Sequence, residues 1–255
     1  MIPIPLNDEN PTERAPVVTV AIIVANALFW LYEVARGVTI SVLDYGAIPR
    51  WILHGVAAGP IELPDGVIAT LHQEVQWPLS ILTAMFAHGS WMHIIGNMWF
   101  LWIFGDNLED RMGRLRFLAF YLLCGILAAG AQIAATPDSM APMVGASGAI
   151  AGVLGGYIVL YPTARVRSLW ILIVFITTVR IPAWALLGVW FLSQFLTPVG
   201  SGVAWVAHVG GFLAGLLLVR LFVRADPPLA RPSAYAVWDS NAYGRQTEDR
   251  RRDGW

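Results

Sequence analysis

Residues 202–223 read GVAWVAHVGGFLAGLLLVRLFV, an apolar run interrupted by His208 and, near its end, by one arginine. A helix needs about 20 mostly apolar residues to cross the hydrocarbon core of a bilayer, so this run predicts a membrane span. Ionisable side chains inside spans are costly and indicate functional sites, which makes His208 a candidate. Ala207, Gly211 and Gly215 lie four residues apart and form a stripe of small residues against which a second helix can pack closely.

The whole chain shares this apolar character. Its 255 residues are 57% hydrophobic and 13% charged, whereas roughly a quarter of the residues of soluble domains are charged. The 16 basic residues are all arginines, and 17 acidic residues balance their charge. This charge balance does not indicate a nucleic-acid partner. The first sixteen residues carry Asp8, Glu9 and Glu13 against Arg14, which does not resemble a cleaved signal peptide. The first apolar run is therefore expected to remain as a membrane anchor.

Six apolar runs predict an all-α membrane protein, a bundle of six transmembrane helices. Arg180 and Pro182 interrupt the apolar stretch before the fifth span. The part from Leu169 to Thr178 is β-branched and too short to span, so we interpret it as an interfacial or re-entrant segment. The predicted spans are 17–36, 91–108, 115–135, 147–162, 183–197 and 202–223.

The distribution of arginines predicts the orientation, because cytoplasmic loops carry an excess of positive charge. With six spans, the N-terminus, the loops at 109–114 and 163–181, and the tail share one side. These segments and the adjoining span ends contain Arg14, Arg111, Arg114, Arg116, Arg165, Arg167, Arg180, Arg220 and Arg224. The opposite side has Arg36 and Arg50. Both termini are therefore predicted to be cytoplasmic.

Three segments lie outside the spans. Residues 1–16 form a cytoplasmic N-terminal segment, and 17–224 form one six-helix domain. The long first loop, 37–88, mixes prolines with tryptophans and aliphatic residues, so we expect it to be partly embedded in the membrane interface. Residues 225–255 are rich in Pro, Arg, Asp and Tyr without helical periodicity and are predicted to be a disordered cytoplasmic tail.

Polar residues also open the second predicted span. His93 and Asn97 are four residues apart, so they share one helix face and can donate hydrogen bonds to one point. Each of them could instead satisfy the backbone of a neighbouring helix. His88 lies nearer the interface, where we expect it to fix a loop through a hydrogen bond.

The fourth predicted span begins with a serine among small residues. Ser147 follows Gly145 and Ala146, and Gly148, Gly152 and Gly156 form a second small-residue stripe. In isolation, a serine at a helix start is most often an N-cap. The same position lies beside free backbone N–H groups and the positive end of the helix dipole, which can stabilise an oxyanion. If the two stripes pack together, the hydroxyl of Ser147 comes within reach of His208, a base that would activate it as a nucleophile.

Four motifs occur in an order that resembles the rhomboid intramembrane serine proteases. They are HGSWMHIIGN at 88–97, FGDNLED at 104–110, GASG at 145–148 and AHVGGFLAG at 207–215. The resemblance implies a six-helix rhomboid bundle in which Ser147 attacks a peptide carbonyl and His208 acts as general base and acid. It also implies an oxyanion hole formed by His93, Asn97 and the backbone N–H of Ser147.

The resemblance further implies cleavage of other membrane proteins in or near their transmembrane segments. The expected partners are such substrates and membrane lipids, with no metal or organic cofactor. The small six-span architecture leads us to expect the inner or plasma membrane of a bacterial cell. One position departs from the pattern of some bacterial rhomboids, which have a tyrosine four residues after the nucleophile. This chain has Ala151 there, so another surface must orient His208.

Three other functions compete with a serine protease. An intramembrane metalloprotease is disfavoured because no HExxH motif occurs and no carboxylate lies near His93 or His208 in the sequence. A transporter is disfavoured because no inverted repeat is evident and the polar residues lie toward one face. The principal alternative is a proteolytically inactive rhomboid-like protein that binds membrane clients. Such proteins usually lack the serine or the histidine, and this chain has both.

Overall fold

The computed structural model of the chain describes residues 3–55, 60–62, 68–70, 79–172, 175–198 and 202–224. The helices form one compact unit that ends at Val223. In the order of the chain they are α1 Val17–Arg36, α2 Val38–Tyr45, α3 Pro49–His54, α4 Leu79–Ala84, α5 Trp91–Met112, α6 Arg114–Ala135, α7 Ser147–Leu160, α8 Ala183–Gln194 and α9 Trp205–Phe222. The predicted helical membrane bundle is confirmed.

Each of the six predicted spans coincides with a helix, but the helices differ in length. Within the described part of the chain, α1, α6 and α9 are both long and apolar enough to cross a membrane. Helix α7 has 14 residues and α8 has 12, which at 1.5 Å per residue corresponds to about 20 Å, against a hydrocarbon core of about 30 Å. Helix α5 is long enough but ends in a charged segment. The count of six spans therefore stays a prediction.

A small sheet accompanies the helices and was not predicted. Strands β4 (Arg165–Leu172) and β5 (Phe175–Pro182) form an antiparallel hairpin, and β1 (Ile4–Asp8) pairs antiparallel with β4. The stretch interpreted as an interfacial or re-entrant segment is therefore the middle of a hairpin. Its β-branched residues favour strands, and its two halves pair with each other, from Leu169 with Thr178 to Leu172 with Phe175. Two short strands, β2 (Pro60–Glu62) and β3 (Ile68–Thr70), pair within the first loop.

The charged end of α5 binds the first turn of α1. The carboxylate of Glu109 accepts hydrogen bonds from the backbone N–H groups of Val18 and Thr19 and from the Thr19 hydroxyl, at 2.8–2.9 Å. These N–H groups belong to the first turn of α1, which has no side-chain cap of its own. A carboxylate at this position satisfies free donors and complements the helix dipole. The Glu109 side chain is buried, since its carboxylate caps the start of α1.

Helices α7 and α9 pack backbone to backbone. A Cβ added to Gly211 would collide with the carbonyl oxygen of Gly148, and one added to Gly215 would collide with that of Gly152. The predicted close approach of the two stripes is present at these positions. Gly156 does not belong to this seam, since its Cβ would meet side chains that include Leu108 and Phe120. The rotation of α7 brings a different glycine to α9.

Gly155 makes the third close approach between α7 and α9. A Cβ there would collide with the carbonyl oxygen of Phe212. Spacing by four residues drifts around a helix of 3.6 residues per turn, so a stripe that starts at Gly148 and Gly152 continues more closely at a spacing of three. The seam therefore consists of three glycines of α7 and two of α9, and it sets the spacing of the residues at the helix starts.

The structure describes the first loop in part. Helices α2, α3 and α4 and the strands β2 and β3 lie within residues 37–88, so the described parts of this loop contain regular structure. Its embedding in the membrane interface stays a prediction. The predicted disorder of 225–255 lies outside the described residues.

Candidate active site

Ser147 and His208 meet at the end of the seam where α7 and α9 begin. The Oγ atom of Ser147 lies 2.8 Å from Nε2 of His208, although the two residues are 61 positions apart in the chain. Both side chains are partly exposed. A hydroxyl hydrogen-bonded to an imidazole nitrogen can transfer its proton to that nitrogen when the oxygen attacks an electrophile. The pairing expected from the two glycine stripes is thus present.

The Ser147 hydroxyl does not cap its helix. Ala146 occupies the N-cap position of α7, and no side-chain capping hydrogen bond forms. Ser147 is the first helical residue, and its hydroxyl binds His208. The interpretation of this serine as an N-cap therefore does not describe the structure. Its backbone N–H lies in the first turn, where N–H groups have no intrahelical acceptor.

Helix α8 contacts the other side of the His208 imidazole. The Oε1 atom of Gln194 lies 2.8 Å from Nδ1 of His208. The indole ring of Trp190 lies beside the imidazole, with 6.1 Å between ring centroids and planes inclined by 38°. These two residues were not predicted. The signal in the sequence is their spacing of four, which places a large ring and an amide on one face of α8.

His88 and Asn97 form a second polar pair. The Nδ1 atom of His88 lies 3.0 Å from the carbonyl oxygen of Phe86, which can only accept, so Nδ1 carries the hydrogen. Nε2 of His88 then accepts a hydrogen bond from Nδ2 of Asn97, at 2.9 Å. Burial, with a smaller contribution from His93, lowers the pKa of His88 to about 4, so this imidazole is neutral near pH 7 and the tautomer is fixed. The second amide hydrogen of Asn97 remains available to the cavity described below.

The loop before α5 is held by a buried carboxylate. Glu33, near the end of α1, accepts the backbone N–H of His88 at 3.0 Å and 3.2 Å from its two oxygens. Both Glu33 and His88 are fully buried. The expected loop-fixing hydrogen bond of His88 is present, and the structure adds Glu33 as its second anchor. Burial of this kind leaves little freedom for the His88 side chain and so orients Asn97.

His93 and Asn97 both approach Gly145. If Gly145 had a Cβ, it would lie 2.6 Å from Nε2 of His93 and 3.4 Å from Nδ2 of Asn97. The backbone of Gly145 also has φ +115°, a conformation that residues with side chains rarely adopt. Glycine therefore allows both polar side chains to come close to the turn that precedes Ser147.

One cavity joins these groups. Its volume is about 750 Å³, which is within the range of volumes typical of ligand-binding pockets. Its lining includes Ser147, His208, His93, Asn97 and Gln194. His93 and His208 are the titratable side chains among the lining residues. The arrangement combines a serine, a base and a set of hydrogen-bond donors, which are the parts needed for acyl transfer.

Comparison with known proteins identifies the family. The model of the rhomboid domain matches residues 76–225, which is more than half of the chain. The chain belongs to the rhomboid family. The matched region of this rhomboid begins before α4 and includes α5, α7, α8 and α9, which bear Asn97, Ser147, Gln194 and His208 of the cavity lining; Val42 of α2 lies outside it. The resemblance inferred from the four motifs is therefore confirmed.

Several curated relatives are similar to this rhomboid over more than half of its chain. Rhomboid protein 1, mitochondrial, of Saccharomyces cerevisiae is 30% identical over 54% of this chain and 40% of its own length. RHOMBOID-like protein 6, mitochondrial, of Arabidopsis thaliana is 30% identical over 54% of this chain and 41% of its own. Rhomboid-like protease 5 of Toxoplasma gondii is 34% identical over 57% of this chain and 16% of its own.

The matched part of this chain spans less than half the length of these relatives. Together with the apolar helices, membership of the family makes this rhomboid a multi-pass integral membrane protein. The relatives are mitochondrial or other eukaryotic proteins, so they give no support to the bacterial membrane expected from the size of the bundle.

Proposed function

We propose that this rhomboid is an intramembrane serine endopeptidase in which Ser147 is the nucleophile and His208 is the general base and acid. One observation carries the proposal: Ser147 Oγ lies 2.8 Å from His208 Nε2. This pair lines a cavity of about 750 Å³ in a helical membrane protein. One similar protein bears the name Rhomboid-like protease 5. The name supports, for this chain, the same class of activity.

The proposed reaction is acyl transfer in two stages. Ser147 Oγ forms a bond to the carbonyl carbon of the scissile peptide as its proton moves to His208 Nε2. The imidazolium then gives that proton to the leaving amine nitrogen while the C–N bond breaks, which leaves an acyl-enzyme. A water molecule attacks the acyl carbon and loses a proton to His208, and the Ser147 oxygen leaves with a proton returned from the imidazole.

The proposed oxyanion hole consists of His93, Asn97 and the backbone N–H of Ser147. The free amide hydrogen of Asn97 supports its role as a donor, because His88 occupies the other one. His93 supports the proposal by its approach to Gly145, directly before the turn that bears the nucleophile. Donors that are fixed before the reaction stabilise the developing negative charge without having to reorganise.

The proposed substrates are membrane proteins cut in or near a transmembrane segment. We also propose the domain division 1–16, 17–224 and 225–255, with six spans and both termini in the cytoplasm. The arginine distribution supports this orientation. So does the structure at one end of the bundle, where β1 of the N-terminal segment pairs with the hairpin of 165–182. A bacterial plasma membrane is proposed from the size of the bundle alone.

Purified full-length protein in detergent provides the test. Wild type, Ser147→Ala and His208→Ala would be incubated with a model transmembrane substrate and, separately, with a fluorescent fluorophosphonate. We expect wild type to cleave the substrate and to be labelled, and both variants to lose at least about 10³-fold in rate. Gly188→Ala is a matched control, because a Cβ at Gly188 on α8 meets no atom within 4 Å.

Equal labelling of wild type and Ser147→Ala would exclude Ser147 as the nucleophile. The wild-type protein could be folded, as shown by a cooperative thermal unfolding transition, and yet neither cleave the substrate nor be labelled. This result would favour the alternative, a proteolytically inactive rhomboid that binds membrane clients. Under that alternative, Ser147→Ala would bind clients as well as wild type does.

A further inference from the structure

The His208 imidazole has two hydrogen-bonding nitrogens, and the proposed reaction uses one of them. A neutral imidazole carries a single hydrogen, which can sit on either nitrogen. If it sits on Nε2, the lone pair faces away from Ser147 and the residue cannot act as a base. Proton transfer from Ser147 Oγ, 2.8 Å from Nε2, therefore needs the hydrogen on Nδ1. In a serine triad, an acidic side chain selects this tautomer.

Among the residues of the described part of the chain that line the cavity there is no carboxylate, and Gln194 lies where such a group would act. Its Oε1 atom is 2.8 Å from His208 Nδ1. The Gln194 side chain is buried, with 8% of its surface exposed. A buried amide that meets one ring nitrogen must present either its oxygen or its nitrogen, and the two choices select opposite tautomers.

The remaining contacts of Gln194 fix which atom faces the ring. Its Nε2 atom donates to the carbonyl oxygen of Trp190, at 3.0 Å, and lies 3.3 Å from the hydroxyl oxygen of Ser193. The Trp190 carbonyl can only accept, so the nitrogen of the amide must lie on that side. The oxygen is left to face His208, and because it can only accept, Nδ1 must carry the hydrogen.

We propose that Gln194 is a positioning residue that holds His208 in the Nδ1–H tautomer and orients its Nε2 lone pair toward Ser147. Trp190, four residues earlier on α8, supports one flank of the same imidazole. Helix α8 thus supplies the orienting surface that Ala151, a residue without a ring, does not provide. The inference rests on the proposed protease function and concerns how its base is prepared.

The test compares Gln194→Met, which keeps the length of the side chain without an acceptor oxygen, with Gln194→Glu, which keeps the oxygen. Leu192→Met is the matched control, because Leu192 lies on the same helix with its side chain exposed. We expect Gln194→Met to lower kcat about 10- to 100-fold with a smaller change in KM, since Gln194 acts through His208 and not on the reacting atoms. Gln194→Glu should recover most of that loss, and Leu192→Met should match wild type.

A second readout does not require cleavage. The chain has five histidines, so ¹⁵N chemical shifts of the imidazole rings, assigned with His208→Ala, report the tautomer of His208 near pH 8, where imidazoles are neutral. We expect a single Nδ1–H tautomer in wild type and a mixture of both in Gln194→Met. A wild-type protein with this tautomer but without cleavage would refute the protease function while supporting the role of Gln194.

Three results would overturn the role of Gln194. The first is an unchanged tautomer together with an unchanged kcat in Gln194→Met. The second is equal inactivity of Gln194→Met and Gln194→Glu, which would show that the acceptor oxygen does not matter. The third is a raised KM and a lowered thermal stability in Gln194→Met with the tautomer unchanged, which would mean that the residue serves only to pack α8.

Discussion

At the scale of single residues, two polar side chains near Ser147 are each restrained by a second one. His208 is contacted by Gln194, and Asn97 by His88, whose own loop is held by Glu33. In a membrane bundle, water offers little competition, so a polar side chain that has one geometrically suitable partner has few alternative positions. A site of this kind is organised before a substrate arrives, which is the condition for electrostatic stabilisation of a transition state.

This organisation leads to a prediction for Asn97. Asn97→Leu retains the approximate volume of the side chain and removes the amide donor. We expect kcat to fall about 10²- to 10³-fold, as for the loss of one oxyanion donor, with a smaller change in KM. The measurement is steady-state cleavage of a model transmembrane substrate by purified protein.

Met98→Leu is the matched control for Asn97→Leu, since Met98 is the next residue of α5 and packs against the apolar core. It should retain wild-type kcat. If Asn97→Leu also cleaved the substrate at the wild-type rate, Asn97 would have no part in the oxyanion hole, and its hydrogen bond to His88 would serve only the fold.

At the scale of elements, the distance between the nucleophile and the base depends on the seam between α7 and α9. Gly211 and Gly215 allow the backbone of α9 to rest on the carbonyl oxygens of α7. Without a strong hydrophobic driving force inside a membrane, such close packing supplies much of the association between helices. The same contact positions Ser147 at the start of α7 against His208 near the start of α9.

A methyl group at Gly211 should therefore separate the dyad. We expect Gly211→Ala to destabilise the protein by about 1–3 kcal/mol, typical of overpacking, and to reduce cleavage because Ser147 and His208 move apart. Thermal unfolding in detergent and a cleavage assay measure the two effects. Gly188→Ala adds the same methyl group to α8 in open space, so it should be neutral or slightly stabilising. Equal melting temperatures for the two variants would show that the seam tolerates a side chain.

At the scale of the whole molecule, sequence patterns predict what depends on local periodicity. The six helices and the pair Ser147 and His208 follow from apolar runs, spacing and motif order. The position of β1 in the sheet cannot be predicted in this way, because its partner is Val166–Leu169 of β4, and nothing local indicates a pairing so distant in the chain. The contact of Gln194 with His208 cannot be predicted from the sequence either. A glutamine at the end of an apolar helix reaches His208 only when α8 has the right rotation against α9.

Asp8 joins distant parts of the molecule and offers a test of their association. Its carboxylate accepts hydrogen bonds from the hydroxyl of Tyr157 on α7, at 2.6 Å, and from Nδ2 of Asn107 on α5, at 2.8 Å. Burial outweighs these hydrogen bonds and raises the pKa of Asp8 from 3.8 to about 6. Between about pH 4 and 6 the folded state therefore holds a proton that the unfolded state has released.

It follows that folding becomes less favourable as the pH rises through this window, because the stabilisation present below pH 3.8 is lost as Asp8 ionises near pH 6. Asp8→Asn keeps the shape of the side chain and does not titrate. The melting temperatures of wild type and Asp8→Asn would be measured in detergent from pH 4 to pH 7. Their difference reports the ionisation of Asp8, because the other groups titrate alike in the two proteins. We expect wild type to lose stability relative to Asp8→Asn as the pH increases. A difference that is constant with pH would mean that Asp8 ionises alike in the folded and unfolded chains and that the N-terminal strand does not bury it.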